Sequence, residues 1–250
     1  MIDPKFQTIV AVKLSTAEKR KLKAGIARYG TTWTHSNFDW LKIRLNQEFR
    51  AIQYTRCCYC RRIMKFDKGL VEIEHIICKG KAGKYSRFTF VMNNLALACK
   101  DCNNGKGTKA VLRKSLSTRA AYPTDGAIFL WVHPYFHSYS DHILIHHAWV
   151  YEANNGSPEG RAVIEKCKLA TLHGKERANR ELLVGFANSF DDAVQRAVGM
   201  VSEVGLDALC LELAPLLSKM IGAGDNTVKA ELAIRNAHAA VNAAAQQARA

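Results

Sequence analysis

Apolar residues recur three and four apart along Phe38, Leu41, Leu45, Phe49 and Ile52. That is the period of a helix with one buried face. Ser36 is placed to cap it. Upstream, Ser15 and Glu18 stand three apart as a capping box. They open a helix carrying Lys19, Arg20, Lys21 and Lys23, expected to stop near Gly30. Residues 1–14, with Phe6, Ile9 and Val12, read as a short strand or a docking arm. The β-branched residues Val71, Ile73, Ile76 and Ile77 mark a strand, and Leu95–Ala98 reads as its partner. Asn103 to Leu116, rich in Lys, Ala and Leu without proline, predicts a helix.

Beyond Tyr122-Pro123-Thr124-Asp125-Gly126 the pattern changes. Ala127–Val132 reads as a buried strand, Leu144–Tyr151 as another, and Asn154–Pro158 as a turn. Helical spacing then dominates, with Leu182, Leu183, Phe186, Phe190, Val194, Val198 and Val201 on core-facing stripes broken near Asn188-Ser189. Gly205 is an expected stop. Leu206, Leu209, Leu213, Leu217 and Met220 mark another helix, which Pro215 would kink or interrupt. Asp225 is the expected cap of a final, alanine-rich segment. The predicted class is α+β. No internal repeat occurs, and no apolar run approaches the ~18 residues of a membrane span.

The 250 residues allow one sizeable core or two modest domains. Their formal charge of +14 is unevenly spread. Residues 1–120 hold 25 Lys and Arg against 8 Asp and Glu, whereas residues 121–250 hold 11 against 14. A basic surface binds phosphate backbones by releasing counterions, without sequence preference, so nucleic acid is the expected partner.

The chemistry concentrates between Cys57 and Lys106. Two C-x-x-C pairs, Cys57/Cys60 and Cys99/Cys102, bracket a Glu74-His75 dipeptide at the end of the first predicted strand. Four thiolates so spaced supply the tetrahedral sulfur environment of structural zinc. Disulfides are the alternative, but no secretory leader is expected and a reducing cytoplasm is. Cys58 reads as a spectator. The loop after the strand carries Lys79, Lys81, Lys84 and Arg87 with two glycines, and is expected to hold substrate phosphates. His133, His137, Asp141, His142, His146 and His147 cluster later, but their spacing fits no zinc pattern, and no second site is assigned.

On these residues, the segment resembles the HNH endonuclease family, the ββα-metal nuclease fold with a zinc-knuckle frame. The resemblance implies that His75 is the general base, Glu74 and Asn103 hold Mg²⁺ or Mn²⁺, and Asn94 orients the histidine's loop. It implies that Lys106 lies near the phosphate, and Lys109 continues the basic surface along the following helix. Glu74 stands where the family more often has Asp, and Cys78 where it commonly has Pro. A weaker likeness links the later His-Pro and Asp-His pairs to the nuclease subunits of Septu-type bacterial defence systems, implying an anti-phage setting.

The expected organisation is a helical arm over 1–56, the nuclease module over 57–119, a regulatory or partner-binding region over 120–224, and a helical tail over 225–250. The expected function is metal-dependent hydrolysis of nucleic acid, DNA favoured over RNA. Its rival is a catalytically inactive zinc-knuckle subunit that binds nucleic acid or serves assembly.

Overall fold

The computed structural model describes residues 1–64, 69–79, 84–224 and 226–247. Lys81 and Asp225, to which the sequence reading gave roles, lie outside the described residues. The chain forms two compact units. The larger comprises residues 3–144 and 151–169; the smaller comprises residues 1–2, 145–150 and 170–250. This division does not coincide with the change of sequence character near 120. Residues 120–144 and 151–169 pack in the unit that holds the two C-x-x-C pairs.

In the larger unit the N-terminal residues are an arm rather than a strand. Phe6, Ile9, Val12 and Leu14 are buried, and the Ile9 amide donates to the Pro134 carbonyl at 2.9 Å. Helix α1 (Thr16–Tyr29) begins at the expected capping box, with both reciprocal bonds of Ser15 and Glu18 formed, and ends at Gly30. Helix α2 (Asp39–Ile52) is not capped by Ser36. Residues 36–38 form a 3-10 turn, where His35 accepts from the Asn37 amide. Phe38, Leu41, Leu45 and Phe49 are completely buried, as their spacing requires.

Strands β1 (Val71–His75) and β2 (Leu95–Cys99) pair antiparallel, with Glu74 opposite Ala96 and His75 opposite Leu95. Helix α3 (Lys100–Lys106) follows directly. The ββα unit is thus complete, but its helix is far shorter than the predicted span to Leu116. Gly107 ends it with φ 52°, a backbone conformation that glycine adopts without a Cβ penalty. Lys109, Arg113 and Lys114 therefore lie beyond the helix. The predicted strand over Ala127–Val132 is a 3-10 turn (Gly126–Ile128) and a single bridge, Leu112 to Phe129. Aromatic bulk there serves burial, since Phe129 and Trp131 are fully enclosed.

Helix α4 (Tyr139–His142) leads into β3 (Ile143–His146), and the predicted single strand Leu144–Tyr151 is interrupted by a turn before β4 (Val150–Ala153). Ala148 and Trp149 take positive φ there, which no continuous strand permits. Helix α5 (Pro158–Lys166) completes this stretch, its Ser157 cap accepting from the Gly160 amide.

The smaller unit is helical: α6 (Leu172–Gly185), α7 (Phe190–Gly199), α8 (Val201–Val204), α9 (Leu206–Met220) and α10 (Val228–Gln247). Its core gathers Val184, Val194, Val198, Leu209, Leu213, Leu217 and Ile234. Ser189 caps α7 at the expected break, Gly205 ends α8, and α9 runs through Pro215 uninterrupted. Leu182, Leu183 and Phe186, assigned to a core stripe, are exposed. Among the described residues, no helix is long and apolar enough to cross a membrane.

Candidate active site and zinc knuckle

The zinc knuckle is built from both ends of the hairpin. A bridge between Arg56 and Ile63 closes the first cysteine loop, and the Cys58 amide donates to Leu97 of β2 at 3.0 Å. Cys99 ends β2, and Cys102 sits within the first turns of α3. The four Sγ atoms of Cys57, Cys60, Cys99 and Cys102 all lie within 4.8 Å of one another, and Cys60 to Cys99 is 3.8 Å. A tetrahedral ion with Zn–S bonds of about 2.3 Å separates its sulfurs by about 3.8 Å. The Tyr59 amide also points at Cys57 Sγ, at 3.4 Å. Donor type, number and spacing fit structural zinc.

Later residues brace this knuckle. Tyr139 and Tyr151 donate to the carbonyls of Tyr59 and Cys60 at 2.9 and 2.7 Å. The buried Arg61 guanidinium donates to the Cys58 carbonyl and stacks between Phe6 and Tyr139. Cys167 lies in hydrogen-bonding reach of Cys102. No spacing motif links it to the pairs, so nothing in the order of residues marks this neighbour.

His75 ends β1, buried at 8% exposure. Its Nε2 lies 3.1 Å from the Thr89 carbonyl oxygen. A carbonyl only accepts, so Nε2 carries the hydrogen and the Nδ1 lone pair is the basic site. Trp33 meets the ring edge-on, centroids 4.8 Å apart. Burial, reinforced by the Lys79 and Lys106 cations, pushes the imidazole pKa down to about 4 against the opposing Thr89 bond. The ring is therefore neutral at physiological pH.

That shift has a stability consequence. Between pH 6.5 and 4 the unfolded chain binds a proton at this position that the folded chain does not. The contribution is fully present above pH 6.5 and is lost as pH falls towards 4. It amounts to about 3 kcal/mol, at 1.36 kcal/mol per unit. Denaturant titrations from pH 7 to 4 should show wild type losing that much more stability than His75→Gln. Protonation of the zinc thiolates affects both proteins alike and cancels in the difference.

Asn94 is buried just before β2. Its Oδ1 accepts from the Ile77 amide at 2.7 Å, and its Nδ2 donates to the carbonyls of Ile77 and Phe88. One side chain thereby ties the turn after His75 to the segment preceding Thr89.

An open cleft of about 860 Å³ adjoins the histidine. Trp33, Lys42 and Asn46 line it together with Glu72, His75 and Asn103. The structure thus brings His75 and Asn103 to one cavity. Glu74 does not line it. Its carboxylate is buried, ion-paired with Lys106 and accepting from the Tyr59 hydroxyl at 3.1 Å. Burial pushes the Glu74 carboxyl pKa up, with Lys106 opposing. Lys106, expected beside a phosphate, is 1% exposed and spends its ammonium on Glu74 and the His75 carbonyl. The carboxylate that Asn103 contacts is Glu72, to which its Nδ2 donates. Glu72 has no place in the family motif; its signal is its strand parity with Glu74, which puts both on one face.

The basic residues divide likewise. Partial burial and the neighbouring Lys42 depress the Lys79 pKa, so two cations crowd near the cleft. Arg87 is committed to the carbonyls of Lys84, Ser117 and Ala120. Lys84 meets the Ser115 hydroxyl, and Lys109 the carbonyls of Gly105 and Lys166.

A sulfur-walled zinc knuckle holding a ββα hairpin, with a neutral histidine at the strand end, defines the zinc-framed ββα-metal class. Residues 57–109 match the family model for HNH endonuclease, and the chain therefore carries an HNH endonuclease domain. No curated protein and no solved structure matches the chain.

Proposed function

We propose that this protein is a metal-dependent endonuclease that hydrolyses phosphodiester bonds in nucleic acid, with DNA as its substrate. The observation that carries this reading is His75, neutral and fixed through Nε2 on the Thr89 carbonyl, at the cleft that Asn103 also lines. His75 Nδ1 takes the proton from the attacking water. Asn94 holds the histidine's loop in place for that transfer. Lys42 and Lys79 draw the phosphate into the cleft. Asn103, through its amide oxygen, and a carboxylate of β1 are hard donors suited to Mg²⁺ or Mn²⁺. When bound, such an ion polarises the phosphate and stabilises the departing oxygen.

The test is a cleavage panel on the purified, zinc-loaded chain. Supercoiled plasmid, single- and double-stranded DNA and RNA are incubated with Mg²⁺ or Mn²⁺. The expected result is nicking that depends on the divalent ion. Binding should weaken as salt rises, and Lys79→Ala should reduce the slope of log affinity against log salt by about 1. A slope unchanged in that variant would remove Lys79 from the phosphate path.

One observation favours a second reading. The Glu74 carboxylate, which the family resemblance assigns to the metal, is occupied by Lys106. An inactive zinc-knuckle subunit would bind nucleic acid in a salt-sensitive way, yet cut nothing with either ion. The anti-phage setting is a proposal about context, resting on the His133-Pro134 and Asp141-His142 pairs after the module.

A further inference from the structure

Strand β1 and helix α3 face each other through two rungs. Glu72 meets Asn103 in one, and Glu74 meets Lys106 in the other. The geometry of the two elements sets this up. Residues two apart on a strand are separated by about 6.7 Å and share a face. Residues three apart on a helix rise about 4.5 Å and nearly share a face. A carboxylate at each of two strand positions therefore finds a partner one helical turn apart.

The rungs differ in charge and in access. At Glu74–Lys106 an ammonium already neutralises the carboxylate, Tyr59 donates to it as well, and both partners are buried. A divalent ion entering there would have to displace a buried cation and leave it unpaired, which is strongly unfavourable. At Glu72–Asn103 the partner is a neutral amide, so the negative charge is not cancelled within the pair. Both residues are only partly buried and line the cleft that His75 adjoins. Turning the Asn103 amide about its terminal bond would aim Oδ1, in place of Nδ2, beside the Glu72 oxygens. Two hard oxygen donors would then converge on one point.

We infer that Glu72, rather than Glu74, supplies the carboxylate that holds the divalent cation beside Asn103. This rests on the nuclease reading and changes its ligand set. Glu74 becomes a positioning residue, which with Lys106 clamps α3 against β1 through the His75 carbonyl.

The test uses Mn²⁺ as probe, titrated into the full-length, zinc-loaded protein without nucleic acid and followed by electron paramagnetic resonance. Glu72→Gln should weaken Mn²⁺ binding by about 10-fold or more, the scale of loss when a metal site is disturbed. Glu74→Gln alone would strand the Lys106 ammonium and risk unfolding. The double variant Glu74→Gln/Lys106→Met removes both charges together, and it should lose less Mn²⁺ affinity than Glu72→Gln. Circular dichroism and zinc content establish that each variant is folded.

Unchanged Mn²⁺ affinity in Glu72→Gln, affinity lost only in the double variant, or no Mn²⁺ binding by wild type would each overturn the inference. Cleavage separates this failure from failure of the nuclease reading. His75-dependent nicking that persists while Glu72→Gln binds Mn²⁺ normally ends the Glu72 assignment alone. Absence of nicking across the metal and substrate panel ends the nuclease reading itself.

Discussion

Cys99→Ser should release the zinc and unfold the nuclease module. Cys99 closes β2 and opens α3, so losing its thiolate disconnects both elements from the loop that carries Cys57 and Cys60. Structural zinc contributes ~10–16 kcal/mol in small zinc-finger peptides, comparable with the whole stability of a typical domain, about 5–15 kcal/mol. The two-stranded sheet is too small to compensate, since an isolated hairpin is marginal in water. Metal analysis should find one equivalent of zinc in the wild type and little in the variant, with loss of cooperative melting. A folded wild-type protein free of zinc, or a variant that melts like wild type, would refute the structural role of the knuckle.

His75→Ala should lower the rate of Mg²⁺-dependent plasmid nicking by about 10²–10⁴-fold, the usual share of a positioned general base. Nucleic-acid affinity should change little, because the imidazole is neutral and the nearby cations remain. The expected size follows from how the ring is held. Its Nε2 bond to Thr89 fixes both tautomer and orientation, and Trp33 packs against it. The low pKa also means that the base form is present throughout the neutral range. Equal cutting by wild type and variant would remove His75 from the mechanism. A parallel loss of affinity and rate would assign the residue to binding instead.

Local pattern and tertiary cover diverge in three segments. Local composition favoured a helix from Asn103 to Leu116, but Gly107 takes a left-handed conformation and ends α3 after two turns. Apolar content marked Ala127–Val132 as a strand, yet burial there comes from Phe129 and Trp131 packed without a ladder. Helical spacing placed Leu182, Leu183 and Phe186 inside, although Val184 occupies the core from that helix. In each case the pattern reported that a segment is apolar or helix-compatible. Which neighbour covers it was a separate matter.

Read alone, the residues determined the zinc knuckle, the capping box of α1, the buried face of α2 and the strand pair. These follow from short-range rules: C-x-x-C spacing, helical and strand periods, and side chains that bond to their own backbone. Tertiary structure alone decided which carboxylate meets which partner. Glu72 and Glu74 have the same chemistry, the same strand and the same face, and only the packing of α3 gives one an amide and the other a buried ammonium. The same packing turned Lys106 inward and set Arg87 against backbone carbonyls. Electrostatic role depends on distance and burial, and neither is written in the order of residues.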